Sequence, residues 1–391
     1  MNKNNAPSVL FFHNHRFLPT VDLDFTNMGG VLDSRFTFSR SLAGTYINSA
    51  GLVAASSPNT ARFTYDPTTL APLGLLIEGS TQNILNFSET FATTGGVNNN
   101  WANVNLTRTS TNNTSPRGDA TALRLTATAT NGTMISTSSL GATLLFHTLS
   151  VWLRRVTGTG AIQYTLNNGT TWTTQAITTS WVRYTFPEVE SSGKRVGFRV
   201  TTNNDAIEIW GAQLEQGNGS SSYIPTTTAR VIRDCDDCKI SELTPFKYSI
   251  LKGSLYLSGI ITKNSINNLI RAGFYNEGFD CQCLAFIARE DANLESKASD
   301  GSDITNTSFL YTKNTAYNFG LSYDSGGVNT LISCVNGANA QSSSAPLTAT
   351  ETPDAFIFGE AADGNFASGT IARVKYWPIT KTAAELVAIT L

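Results

Sequence analysis

Residues 207–230 read IEIWGAQLEQGNGSSSYIPTTTAR, a stretch that carries both a strand pattern and its exit. Ile207, Glu208, Ile209 and Trp210 are mostly bulky and suit a surface that is apolar on both sides, as a central strand is. Beyond Gly211 the pattern alternates, with Ala212 and Leu214 facing one way and Gln213 and Glu215 the other. Residues 217–222 form a polar loop, expected to be flexible. Tyr223-Ile224-Pro225 leaves it extended, because Pro225 disfavours the helical region for Ile224 and has no N–H to donate to a ladder. The stretch therefore reads as the last strand of one β-domain and the link to the next.

The chain around it repeats the same signals. Short strands are expected at 122–128, 144–153, 161–166, 181–186 and 196–200, with a tight turn at Asn167-Asn168-Gly169. Trp152 and Trp181 fall inside strand patterns and read as core. Upstream, residues 45–47 and 52–53 flank Asn48-Ser49-Ala50-Gly51, a hairpin signal, and Asp66-Pro67 starts a turn. Downstream, residues 254–261, 269–275, 283–287, 317–322, 328–335, 355–359 and 369–377 continue the β pattern. Residues 380–391 read as one short helix, with Thr380 or Thr382 as N-cap and Leu386, Val387 and Leu391 on its apolar face. The expected fold is all-β: two jelly-roll-like β-sandwich domains in series, a short N-terminal arm and a short C-terminal helix. The divisions are an arm at 1–20, a β-rich region at 21–80, a sandwich at 81–232, a charged linker at 233–247 and a second sandwich at 248–391.

Composition narrows the function classes. Charged residues make up 14% of the 391 positions, with Ser, Thr and Asn in their place, which favours strands and turns. A net charge of −2 supplies no basic field, so nucleic-acid binding is not expected. No apolar run approaches the ~18 residues of a membrane span, and no membrane insertion is expected. The 9–12 cluster is too short for a signal peptide, which points to synthesis in a cytoplasm.

Two of the family-like matches lie in these same strands. WGAQLE with its Gly/Ser loop and SYIPTTTAR, and upstream FTFSRSLAGTYINSAGLVAA, ARFTYDP and LGLLIEGSTQNIL, resemble a family of bacteriophage virion proteins. Its members carry carbohydrate-binding-module-like sandwiches in tail fibres, tail-associated proteins and head fibres. The last third, ending in a glycine, a strand closed by an aromatic and Pro378, and a helix with Glu385-Leu386, resembles laminin-G or concanavalin-like sandwiches. The resemblance implies a structural protein of the virion, assembled in the host cytoplasm, that contacts other virion proteins and host surface carbohydrate. It also implies a homo-oligomer, with a trimer favoured. A purely architectural fibre, collar or decoration protein is the alternative, and a glycan-cleaving enzyme is a third reading.

Candidate residues follow from the chemistry of glycan binding, in which aromatic faces stack on sugar C–H surfaces and polar groups bond the hydroxyls. Trp101 sits in an Asn-rich loop, Trp172 follows the tight turn, and Tyr275 and Phe279 flank Asn276-Glu277-Gly278. Leu10, Phe11, Phe12 and Phe17 give the arm an apolar surface suited to anchoring on another virion protein. No nucleophile-elbow, zincin or P-loop motif is present, His147 reads as a core or sheet-face histidine, and no enzymatic activity is expected. The five cysteines, Cys235, Cys238, Cys281, Cys283 and Cys334, leave free thiols, a disulfide and a zinc site open. The spacing of the second pair argues against zinc, since strand neighbours two apart sit about 7 Å from each other on one face. No cofactor or metal is expected.

Overall fold

In a computed structural model the chain forms two stacked-sheet bodies and one short helix. The structure describes residues 18–391 except 93–100, 111–113, 138–145, 188–194, 265–269, 277–280, 290–292, 300–303, 328–329, 339, 346–348, 351 and 360–366.

The first sandwich pairs two five-stranded antiparallel sheets. One runs Val182–Pro187, His147–Thr157, Ala206–Gln216, Leu123–Ala127, Leu106–Ser110. The other runs Thr173–Gln175, Ile162–Thr165, Gly197–Val200, Gly132–Ser136, Trp101–Val104. The strand Ala206–Gln216 is central, as its two-sided apolarity implied, and buried along nearly all its length. Ile207 and Ile209 point into the sandwich core, and so do Ala212 and Leu214. The parity change between the two pairs occurs at Gly211, which sits at φ +65° opposite a register shift between Ser150 and Trp152. A β-bulge of this kind adds one residue and turns the strand. A Cβ on Gly211 would lie 2.9 Å from the Trp152 ring, so the position needs glycine for both space and conformation.

The second sandwich draws on both ends of the chain. Its larger sheet runs Gln341–Ser343, Leu331–Val335, Ala316–Asp324, Lys252–Lys263, Ser368–Trp377, Pro72–Ile77, Arg62–Tyr65, with Val21–Asp24 also on Ser368–Trp377. The facing sheet runs Thr37–Ser39, Asp237–Ile240, Ala355–Phe358, Ile270–Asn276, Cys281–Ala288, Asn293–Ser299, Ile304–Leu310. Phe286 and Phe319 meet across the gap at 4.3 Å between ring centroids.

Sheet membership therefore cuts across the linear divisions. Four strands of the 21–80 region complete the second sandwich. The hairpin Gly44–Ile47 to Val53–Ser56 instead lies against the first, where Val53 packs with Trp152, Trp210 and Tyr223. Residues 233–247 do not act as a linker: Asp237–Ile240 is a sheet strand, and Arg233 and Asp236 are fully buried. A charge run normally marks solvent, but here Arg233 and Asp236 are closed in by ion pairs with Glu78, Arg40 and Arg62. The end of the arm docks as well, with the Thr20 N–H donating to the Tyr376 carbonyl at 2.9 Å. Leu10, Phe11, Phe12 and Phe17 lie outside the described residues.

The expected helix forms over Ala383–Thr390 with Leu386 buried, but Leu391, expected on its apolar face, lies past its end and is 85% exposed. Thr382 Oγ1 accepts from the Glu385 N–H at 3.3 Å, and the Glu385 carboxylate accepts from the Thr382 N–H at 2.8 Å, a reciprocal capping box. Thr382→Ala is expected to lower stability by about 1 kcal/mol, read from the urea midpoint at unchanged slope. No change would mean that tertiary packing of Leu386 alone holds the helix.

Candidate functional site

The outward face of Ala206–Gln216 meets the second sandwich through a buried ionic network. Arg62 bridges two carboxylates, Glu78 at 2.7 Å and Asp236 at 2.6 Å. Arg40 reaches Asp236 from the other side at 2.9 Å, and Arg233 lies 3.5 Å from Glu78. The Ser222 N–H and hydroxyl both donate to Glu78 at 2.6 Å. Beside this cluster, Lys263 pairs with Glu215 at 2.8 Å, and Glu215 accepts from the Ser221 N–H and the Gln213 amide. Burial alone raises the Glu78 carboxyl, but Arg233, Arg62 and Ser222 overcome it and hold it at about 2. Burial likewise raises Glu215, and Lys263 brings it below the ordinary carboxylate range.

The loop at 217–222, expected to be flexible, is part of this seam. Gly219, at φ +138°, bridges to Lys263 so closely that a Cβ would lie 2.3 Å from the Thr262 carbonyl oxygen. Arg40, Arg62, Glu78, Gln213 and Glu215 all belong to the motifs that carry the virion-protein resemblance. Their place here is structural, because Arg40 and Arg62 pair with the junction carboxylates and Gln213 with Glu215.

Above the network a cleft of about 570 Å³ opens between the edge strand Val182–Pro187, the Gly44–Ile47 hairpin and the neighbouring sheet of the second sandwich. This volume lies in the range of small-ligand sites. Tyr46, Tyr65, Trp181 and Tyr184 line it, all half-buried. The Trp181 Nε1–H donates to the Thr114 carbonyl at 2.9 Å, and the Arg154 guanidinium stacks 4.8 Å from its ring centre, which fixes the indole. Thr45, Thr64, Thr185 and Ser220 add hydroxyls, and Arg183 adds a cation. Among the described lining residues the one carboxylate is Glu78, already engaged by Arg62 and Ser222. Aromatic faces with hydroxyls beside them suit a ligand that presents C–H surfaces and hydroxyl groups together.

The aromatics singled out from sequence do not assemble into this cleft. Trp101 is 1% exposed, packs on Phe91 and Phe198, and donates Nε1–H to the Asn86 carbonyl, so it is core and cannot meet a glycan. Its indole is drawn inward because the strand Trp101–Val104 starts with that residue on the inner face. Tyr275 is buried on Ile270–Asn276 against Ile287 and Ile357, and is likewise packing. Trp172 is half-buried beyond the turn, with Arg199 stacked 4.4 Å from its ring, away from the cleft lining. Phe279 lies outside the described residues. Trp181, read as core, is instead a wall of the cleft. His147 is buried at the start of its strand. Cys235, Cys238 and Cys334 are free thiols, and no cluster of three or more metal-ligating side chains occurs among the described residues. The usable signal was the aromatics Trp181 and Tyr184 at the start of the edge strand Val182–Pro187, three apart with Arg183 between them.

No family model matches the chain, and no curated protein matches it. Solved structures do. The CBM40 module of the Ruminococcus gnavus IT-sialidase, bound to alpha2,3 sialyllactose, is 16% identical, covering 39% of this chain and 90% of that one at a TM-score of 0.32. The receptor binding domain of a botulinum neurotoxin C/D mosaic serotype is 12% identical, over 40% of each chain, at 0.31. Trypanosoma rangeli sialidase is 12% identical over 39% of this chain and 25% of that one, at 0.31. These likenesses span about two-fifths of the chain, and the question of its ligand rests on the cleft.

Proposed function

We propose that this chain is a virion structural protein that binds host-surface glycan through the cleft between its sandwiches. The observation that carries the reading is the set of half-buried aromatics, Tyr46, Tyr65, Trp181 and Tyr184, around a cleft of about 570 Å³ with hydroxyls at its walls. The virion setting is supported by the sequence motifs, with the 1–20 arm contacting other virion proteins. Single clefts of modest affinity act together through copy number in a homo-oligomer, a trimer by analogy with fibres, since multivalency raises avidity without new contacts. Turnover is not part of the proposal. Glycoside hydrolysis uses two carboxyl groups in different protonation states. The described lining offers Glu78 alone, held ionised by its arginine partners.

Tyr65→Ala and Trp181→Ala are each expected to weaken binding of purified protein to host cells by about two- to tenfold, since aromatic contacts are worth ~0.5–1.5 kcal/mol. Trp172→Ala, outside the cleft, is expected to leave binding unchanged. Folded double-variant protein that binds cells as well as the parent would remove the cleft from the proposal and favour the architectural reading. In that case the ionic seam serves only to lock two sandwiches as a rigid spacer.

A further inference from the structure

Arg183 stands out among the cations of the junction. Arg40, Arg62, Arg233 and Lys263 each lie within 4 Å of a carboxylate, but Arg183 has none at that distance among the described residues. Its Nη1 donates to the Ser221 carbonyl at 2.7 Å and its Nη2 to the Ser150 hydroxyl at 2.9 Å. Its Nε–H has no acceptor, a feature that it shares with Arg62 and Arg233, so what sets it apart is the missing carboxylate. The guanidinium lies 4.6 Å from the centre of the Trp152 ring, which holds it in plane. The carboxylates nearest in the network, Glu215 and Glu78, are already bonded to Lys263 and to Arg62 and Ser222. Across the junction five cations thus face three carboxylates. A guanidinium supplies five N–H donors in a planar fork that fits a carboxylate, so two neutral acceptors leave most of its capacity unused. The N–H groups left over are free to take an anion, and such charge-assisted bonds are stronger than those to neutral acceptors. Arg183 is among the residues that line the same cleft as the aromatics, and Thr370 Oγ1, of another lining residue, is buried without a hydrogen-bond partner.

From this juxtaposition we infer that the cleft takes an acidic saccharide, a sugar bearing a carboxylate, with its acid group on Arg183 and its ring faces on the surrounding aromatics. The inference rests on the glycan-binding reading and names the ligand class within it. Burial lowers the affinity of Arg183 for its proton while Glu215 and Glu78 raise it, and the group remains a cation across the physiological range. Neutral sugars of the same shape leave the fork unfilled and lose the charge-assisted bonds. Salt weakens the acidic ligand more than the neutral one.

The test uses the full chain on an array that carries uronic-acid oligosaccharides and sialylated oligosaccharides, each beside its carboxyl-reduced or desialylated neutral parent. The two acid types separate the possible sources of the carboxylate. At least one acidic glycan is expected to bind about tenfold or more above its neutral parent. That preference is expected to vanish in Arg183→Gln and to return in part in Arg183→Lys, with aromatic-dependent binding retained. The ligand comparison in the unmodified protein does not depend on whether a variant folds. Equal binding of acidic and neutral partners overturns the inference and leaves glycan binding standing. Absence of binding to any glycan overturns both.

Discussion

Asp236→Ala is expected to destabilise the protein by about 3–5 kcal/mol, the cost of breaking a buried ion pair by removing one partner. Asp236 is wholly buried, holds Arg40 through one carboxylate oxygen and Arg62 through the other, and accepts the Glu78 N–H at 2.8 Å. Its removal leaves Arg40 in the interior with no carboxylate and strips Arg62 of one of two. The loss is a large share of a typical stability of ~5–15 kcal/mol. Because Arg62 lies in a strand of the second sandwich and Arg40 directly after one, while Glu215 lies in the first and Ser222 in the loop that follows it, the seam also couples the two bodies. Urea unfolding followed by tryptophan emission, which reports chiefly the first sandwich, and by far-ultraviolet dichroism is expected to give coincident curves for the parent and separated curves for Asp236→Ala. A change under about 1 kcal/mol would show that solvent reaches the arginines. Replacing Arg40, Arg62, Arg233, Glu78 and Asp236 together by apolar residues of similar volume is expected to cost far less than the single change, since the desolvation penalty disappears with the whole set of charges.

The second large effect is acid sensitivity from Glu78. Burial raises its carboxyl, Arg233, Arg62 and Ser222 lower it, and the result is about 2 against the usual 4.5. A folded-state value below the unfolded one means that the unfolded chain binds the proton first. The stabilisation is therefore complete above the unfolded value and is lost as pH falls from about 4.5 towards about 2. A shift of this size corresponds to about 3 kcal/mol, with Glu215 adding in the same direction. Urea midpoints measured at pH 7, 4 and 2.5 are expected to fall steeply over the last two. Glu78→Gln is expected to start lower at pH 7 and to flatten that acid limb. A parent protein equally stable at pH 2.5 and 7 would show that the network gives Glu78 no preference for its charged form.

Local chemistry made much of the architecture readable. The alternation at Ala212-Gln213-Leu214-Glu215 separates core from junction as the structure has it. Asn48 closes its hairpin by accepting from the Ala50 and Leu52 N–H groups, and Thr382 caps its helix. These are decisions made within a few residues, by side chains that bond their own backbone or by a period of two. Partnership across the chain was not readable in the same way. Thr37–Ser39 pairs with Asp237–Ile240, and Val21–Asp24 with Ser368–Trp377, across some two hundred to three hundred and fifty positions. The candidate site failed to show for the same reason. Trp101 and Trp181 both look like aromatics of a β-domain, but one starts on an inner face and the other ends at an open edge.

Short strands and turns, the central place of Ala206–Gln216 and the chemical difference between its two faces are all written in local residue order. What covers the second face is set by contacts between distant segments. Period and propensity act through the backbone of each segment, but burial of Arg40, Arg62 and Asp236, and the opening beside Arg183, exist only once strands from both ends of the chain have closed around them.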